Sequence, residues 1–115
     1  MPTKKEKLQI IQKLTRFMQA LVALQMKLRM QNKGNEADEV AKKAKALQKE
    51  IDKLVGSAID EWLGEASKQV SAINQATSRL QAAVEDIQKK VEVARNVVKA
   101  VGLVDDMVDL AKGFL

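Results

Sequence analysis

The sequence contains no cysteine, no histidine and no tyrosine, and its 115 residues include one proline, five glycines and three aromatic side chains. Without cysteine and histidine, the chain cannot build a zinc finger, a disulfide framework, or a thiol or imidazole nucleophile. Long hydrophobic runs are also missing, since the longest uncharged apolar stretch, from Phe17 to Met26, includes two glutamines. A helix that crosses a membrane needs about 20 predominantly apolar residues, so we expect no transmembrane segment.

The pattern of charge near the N-terminus bears on localisation. Three lysines precede apolar residues, as in a secretory signal, but Lys13 and Arg16 interrupt the apolar stretch that such a signal requires. We therefore expect a protein that is cytoplasmic, or exported without a cleavable signal peptide. The absence of cysteine fits both compartments, because it suits a reducing cytosol and also an exported chain that avoids thiols.

A first helix is predicted from about residue 3 to about residue 32. Thr3 and Glu6 have the spacing of a capping box, in which each side chain accepts a hydrogen bond from a backbone N–H of the first turn. Apolar residues then recur on one side, and Ile11, Met18 and Val22 widen this stripe to the width expected of a helix with two neighbours. The central residues of the stripe are Ile10, Leu14, Phe17, Leu21, Leu24 and Leu28.

A second helix is predicted from about residue 36 to about residue 56. Gly34 suits the left-handed position that often follows a helix, and Asn35 can cap the helix that comes next. Because the connection is short, we expect the first two helices to be antiparallel neighbours. The apolar seam of the second helix consists of Val40, Ala44, Leu47, Ile51, Leu54 and Ala58.

A long third helix is predicted from about residue 58 to about residue 101. Its apolar residues alternate at spacings of four and three, as in a coiled coil. This seam is out of phase with that of the second helix near Gly56, and Gly64 is a further weak point, so the chain is expected to bend or reverse between these glycines. The seam consists of Ile59, Leu63, Ala66, Val70, Ile73, Thr77, Leu80, Val84, Ile87, Val91, Ala94, Val98 and Val101.

The third helix carries the predicted partner interface. One flank of its seam is apolar and the other is polar, which indicates contact with more than one neighbour, as in a bundle. We expect this surface to bind a second copy of the chain or a helical partner protein. The interface residues are Trp62, Val70, Ile73, Ala76, Leu80, Ala83, Val84, Ile87, Val91, Val97 and Val98.

The remaining residues predict a short amphipathic helix from about residue 103 to about residue 113. The whole chain, residues 1–115, is therefore predicted to be one all-α domain. Its expected architecture is an elongated antiparallel helical bundle with three long helices, a coiled-coil-like seam and a short C-terminal helix. If the chain reverses between Gly56 and Gly64, the long helices run up, down and up. If it only bends, the third helix protrudes as an arm and oligomerisation becomes nearly obligatory.

One motif is compatible with catalysis. Asp105, Asp106 and Asp109 have a spacing that places carboxylates on one helical face, where they can hold Mg²⁺. The motif occurs once, near the end of a short chain, and aspartates in the first turn of a helix also complement its dipole. The sequence has no phosphate-binding loop, nucleophile elbow or Ser-x-x-Lys motif. We therefore predict a non-catalytic protein with no cofactor, no metal and no small-molecule substrate.

Three function classes remain. The leading one is a helical protein–protein interaction module (an assembly factor, inhibitor or accessory subunit) that self-associates or completes a bundle with a helical partner. The first alternative is a membrane-active or lipid-surface-binding protein of the pore-forming type, because the first helix is basic and amphipathic. The second alternative is nucleic-acid binding, since residues 1–33 hold eight Lys and Arg against one Glu, a net charge of +7. The cations that would contact an anionic surface are Lys5, Lys13, Arg16 and Lys27.

Overall fold

The computed structural model describes residues 3–62 and 66–115, which form four α-helices and no β-strand. The helices are α1 (Lys4–Met30), α2 (Gly34–Gly56), α3 (Ala66–Gln88) and α4 (Val93–Lys112), and a single 3₁₀ turn spans Ile59–Glu61. Each α-helix packs against two others, α1 and α4 both contacting α2 and α3. The molecule measures 45 × 21 × 17 Å. The predicted all-α, elongated helical bundle is confirmed.

Hydrogen bonds between helix ends give the directions of the helices. The ammonium group of Lys7 donates to the carbonyl of Ser57, so α1 begins where α2 ends. The side-chain amide of Gln31 donates to the carbonyl of Ile87, so α1 and α3 end at the same side of the molecule. The four helices therefore run up, down, up and down, and the chain reverses between α2 and α3. Gly64, one of the two glycines expected at this reversal, lies outside the described residues.

The core is formed by one apolar face of each helix. The predicted central stripe of α1, from Ile10 to Leu28, is fully buried, and five of the six predicted seam residues of α2 are also buried. The sixth, Ala58, lies beyond the end of α2 and is exposed. The capping box of Thr3 and Glu6 is present, with both hydrogen bonds at 3.1 Å. The first two helices are therefore as expected in position, direction and buried face.

The predicted third helix is wrong in extent, because the chain turns back after Gln88 and α4 begins at Val93. The backbone N–H of Val91 donates to the carbonyl of Asp86, and that of Lys90 donates to the carbonyl of Ile87. This is the hydrogen-bond pattern of a Schellman motif, which requires a left-handed residue near its end. Lys90 adopts that conformation, with φ 61°. No glycine marks the turn, and the apolar spacing of four and three continues across it, so the pattern alone predicts an unbroken helix.

The turn also changes which residues face the core. In α4, Val97 is buried while Val98, which continues the predicted seam, is 72% exposed. The predicted short C-terminal helix is the second half of α4, and its residues Met107 and Ala111 are buried, as is Phe114 just after the helix. The bundle thus has four helices of similar length in place of three long helices and a short one, and α4 covers the part of α3 that was expected to need a partner.

Two further local expectations are corrected. Asn32, with φ 59°, takes the left-handed position after α1, and the N–H of Lys33 donates to the carbonyl of Leu28. Asparagine tolerates this conformation well enough to replace glycine there. Gly34 and Asn35 accordingly lie within the first turn of α2, whose N-cap, Lys33, makes no side-chain capping bond.

The segment after α2 closes one end of the bundle. Ser57 Oγ donates to the carbonyl of Leu54 and accepts a hydrogen bond of 2.6 Å from Trp62 Nε1. Trp62 is 2% exposed, and its ring lies 5.0 Å from that of Phe114, centroid to centroid. We define these two residues as the aromatic pair. They link the connection after α2 to the end of α4.

Candidate functional site: the outer face of α1

The predicted interface on the third helix lies mainly inside the bundle. Val70 and Val84 are half-buried, and only Val91 and Val98 are exposed. A partner could reach the buried members only if the bundle opened. The buried members are Trp62, Ile73, Ala76, Leu80, Ala83, Ile87 and Val97. Leu63, a member of the predicted seam, lies outside the described residues.

Exposed apolar side chains are instead grouped on α1. Val22, Met26 and Met30 are 53%, 60% and 75% exposed, and we define them as the outer patch. Their spacing of four residues places them on successive turns of the same side of the helix. They point away from the buried stripe, and no helix of the described chain covers them. The expectation that Val22 lies at the edge of the core is therefore wrong, and its position relative to Leu21 and Leu24 gives it an outward direction.

The cations predicted to contact an anionic surface are also on α1. Lys5 and Arg16 are exposed, Lys13 and Lys27 are half-buried, and none of the four makes an ion pair with another described residue. The α1 helix has a single carboxylate, Glu6, which its capping box already engages. The exposed side of α1 is therefore positive and partly apolar.

Arg29 shows how little of this charge the rest of the bundle neutralises. Its guanidinium lies 2.9 Å from the carboxylate of Asp38 on α2, in a pair that is more than half exposed on both sides. An exposed ion pair of this kind stabilises a fold by about 1 kcal/mol or less. The pair engages one cation of α1, whereas Lys5, Lys13, Arg16 and Lys27 make no ion pair with another described residue.

A second apolar feature lies near the beginning of α1. Leu8 and Val55 are 60% and 56% exposed and stand on either side of a groove of about 590 Å³ between α1 and the end of α2. Among the described residues, Ile11 and Ala58 add to its apolar lining, and lysines 4 and 7 supply its charged lining. We define this feature as the end groove. Finding it from sequence would require the register between α1 and α2, which spacing along one helix does not contain.

Lys7 has a defined position at the edge of the end groove. Besides donating to the carbonyl of Ser57, its Nζ atom lies 5.6 Å from the centroid of the Trp62 ring. A cation over an indole face is attracted by the ring quadrupole. The Trp62 ring therefore supports the side chain that brings positive charge to this groove.

The three aspartates whose spacing is compatible with Mg²⁺ binding lie on the outer surface of α4. Asp105, Asp106 and Asp109 are exposed, and Asp105 pairs with Lys43 of α2 at 3.1 Å. In residues 3–62 and 66–115, no group of three acidic side chains has a geometry that could hold a metal ion. The helices of the same two ranges also lack the combination of length and apolar character needed to cross a bilayer.

The architecture defines an all-α helical bundle. No protein-family model, curated protein or solved structure matches the chain. Three features of the described surface bear on function: the outer patch, the cations of α1 and the end groove.

Proposed function

We propose that this chain is a non-catalytic helical interaction module that binds an amphipathic helix of another protein through the outer face of α1. The observation that carries the proposal is the outer patch, three large apolar side chains on successive turns that no part of the described bundle covers. An amphipathic helix docks on such a surface through apolar residues spaced three or four apart. Two of the three residues are methionines, whose flexible side chains adapt to differently shaped partners.

The charge of α1 favours a partner helix with acidic flanks. Arg16 and Lys27 lie on the same helix as the outer patch and have no ion pair among the described residues. A partner with Glu or Asp beside its apolar stripe gains electrostatic complementarity here. A second copy of the chain would instead bring two positive α1 helices together, and like charges across an interface are unfavourable. We therefore favour a different protein over self-association.

Photo-crosslinking in the cells that make the protein tests this surface. A benzophenone amino acid replaces Met26, which is 60% exposed, and the matched control carries it at Val98, an apolar position on α4 that is 72% exposed. We expect a crosslinked partner from position 26 and not from position 98. Because capture alone does not identify an interface, the purified partner is then titrated against the folded chain and its variants.

The outcomes separate the partner classes. Met26→Glu is expected to weaken binding at least about tenfold, a loss of about 1.4 kcal/mol, whereas Val98→Glu leaves it unchanged and added salt weakens it. Equal crosslinking at both positions would contradict the proposal. A crosslinked homodimer, together with twice the monomer mass in light scattering, would reassign the surface to a second copy.

An anionic membrane surface is the second candidate, favoured by exposed apolar side chains next to unpaired cations on one helix. Flotation with vesicles of phosphatidylglycerol, lost in Met26→Glu, would support it over a protein partner. Nucleic-acid binding has less support, because Phe17, Trp62 and Phe114 are all buried and offer no ring for base stacking.

A further inference from the structure

The end groove has the size and the chemistry of a small-molecule site. Its volume of about 590 Å³ lies within the range of ligand pockets, roughly 300–1,000 Å³. Leu8 and Val55 form its exposed walls, while Ile11 is half-buried against the core. Such a lining binds an alkyl chain by removing apolar surface from water.

The positive charge of the groove lining favours an anionic head group on such an alkyl chain. Among the described residues that line the groove, Lys4 and Lys7 carry ammonium groups and none carries a carboxylate. The Lys7 ammonium is positioned by the Ser57 carbonyl and the Trp62 ring, and only one of its three N–H donors is used in that hydrogen bond. An anionic head group can therefore pair with a cation that already has a fixed position, which lowers the entropy lost on binding.

From this combination we infer that the end groove binds a monomeric alkyl carboxylate of medium chain length, with its chain between Leu8 and Val55 and its carboxylate at Lys4 and Lys7. The site is independent of the partner surface proposed above. Leu8 and the outer-patch residue Met26 are 18 positions apart on α1, about five helical turns and about 27 Å.

Decanoate, kept below its micelle concentration, is the probe. Titration calorimetry of the full chain gives the affinity, and the indole N–H resonance of Trp62 reports on the site, because Trp62 donates to Ser57 while Lys7 donates to the Ser57 carbonyl. We expect saturable binding with a shift of the Trp62 resonance. Decanol, which lacks the charge, is expected to bind more weakly, and decyltrimethylammonium more weakly still. Absence of saturable decanoate binding would overturn the inference.

Variants test the position of the site. Leu8→Gln is expected to weaken decanoate binding at least about tenfold, and Met26→Gln to leave it unchanged. The two residues are an unusually close match, being equally exposed at 60% and separated by a whole number of turns, so both face the same direction. Equal effects of the two substitutions would show adventitious binding of the alkyl chain and refute the site.

The charge is tested at Lys4, because Lys7 also contacts the bundle. Lys4→Gln is expected to weaken decanoate binding about two- to fivefold, because an exposed ion pair contributes about 1 kcal/mol or less. Decanol binding is expected to stay unchanged. An equal loss for both ligands would refute carboxylate recognition. Flotation of the chain with phosphatidylglycerol vesicles, without binding of decanoate, would likewise overturn the inference in favour of a bilayer surface.

Discussion

Removal of the Phe114 ring is the most direct test of how the bundle is closed. The ring is 1% exposed and lies 5.0 Å from that of Trp62, although Phe114 lies two residues beyond the end of α4. Replacement of a buried phenylalanine by alanine costs about 3–5 kcal/mol. Since a site at the end of a bundle can partly collapse, we expect Phe114→Ala to lower the free energy of unfolding by about 3 kcal/mol, within the lower part of that range.

A loss of this size is measurable without abolishing the fold. Small domains are stable by about 5–15 kcal/mol, and for a chain of this length 3 kcal/mol corresponds to a fall in Tm of about 10–15 °C. Urea unfolding followed by circular dichroism and by the fluorescence of the single tryptophan measures the change. The neighbouring substitution Leu115→Ala is the control. Its side chain is 48% exposed, so we expect a loss of about 1 kcal/mol or less.

Two results would refute this reasoning. Equal losses for Phe114→Ala and Leu115→Ala would mean that the ring is not packed at the end of the bundle. An unchanged unfolding midpoint with a red-shifted emission of Trp62 in the native protein would mean that the end of α4 opens locally, without contributing to global stability. A double-mutant cycle with Trp62→Leu and Phe114→Leu then isolates the contact between the rings, expected at about 0.5–1.5 kcal/mol.

Three further substitutions test the helix ends, each by urea unfolding. Lys90→Gly is expected to raise stability by up to about 1 kcal/mol because glycine adopts a positive φ without strain, whereas Lys89→Gly should lower it. A loss in both would contradict the left-handed conformation of Lys90. Asn32→Val should destabilise by about 1–2 kcal/mol, because a β-branched residue is strained at the positive φ of this position. An unchanged stability would contradict the left-handed conformation of Asn32. Thr3→Ala should cost about 0.5–2 kcal/mol by removing the capping box, and Thr15→Ala, within α1, should be nearly neutral.

The sequence predicts the first half of the fold better than the second. Strong signals mark α1 and α2, namely a capping box, a wide apolar stripe and a short polar connection. The end of α3 has no such signal, because a lysine takes the left-handed position where glycine or asparagine is usual. The heptad spacing also continues through Val91 and Val98 after the chain has turned, so tertiary packing alone decides that Val97 is buried and Val98 exposed.

The candidate surfaces were predictable to different degrees. The outward direction of Val22, Met26 and Met30 follows from helical geometry once the centre of the buried stripe is known. The apolar width of α1 predicts two neighbouring helices. Both neighbours exist, yet they leave the outer side of the helix uncovered. The end groove depends on the approach of Leu8 to Val55, two residues of different helices, which no periodicity along one helix reveals.

The inner side of α1 therefore serves the stability of the bundle, and the outer side is available for binding. Side chains of the inner stripe are fully buried, so their loss destabilises the bundle by several kcal/mol. The outer patch contributes little burial, and polar substitutions on an exposed helix surface usually change stability by about 0.5 kcal/mol or less. Nothing in the folding of the monomer accounts for two methionines and a valine exposed on successive turns. Because these residues can be replaced without loss of the fold, a defect in Met26→Glu with an unchanged Tm would be a defect in binding.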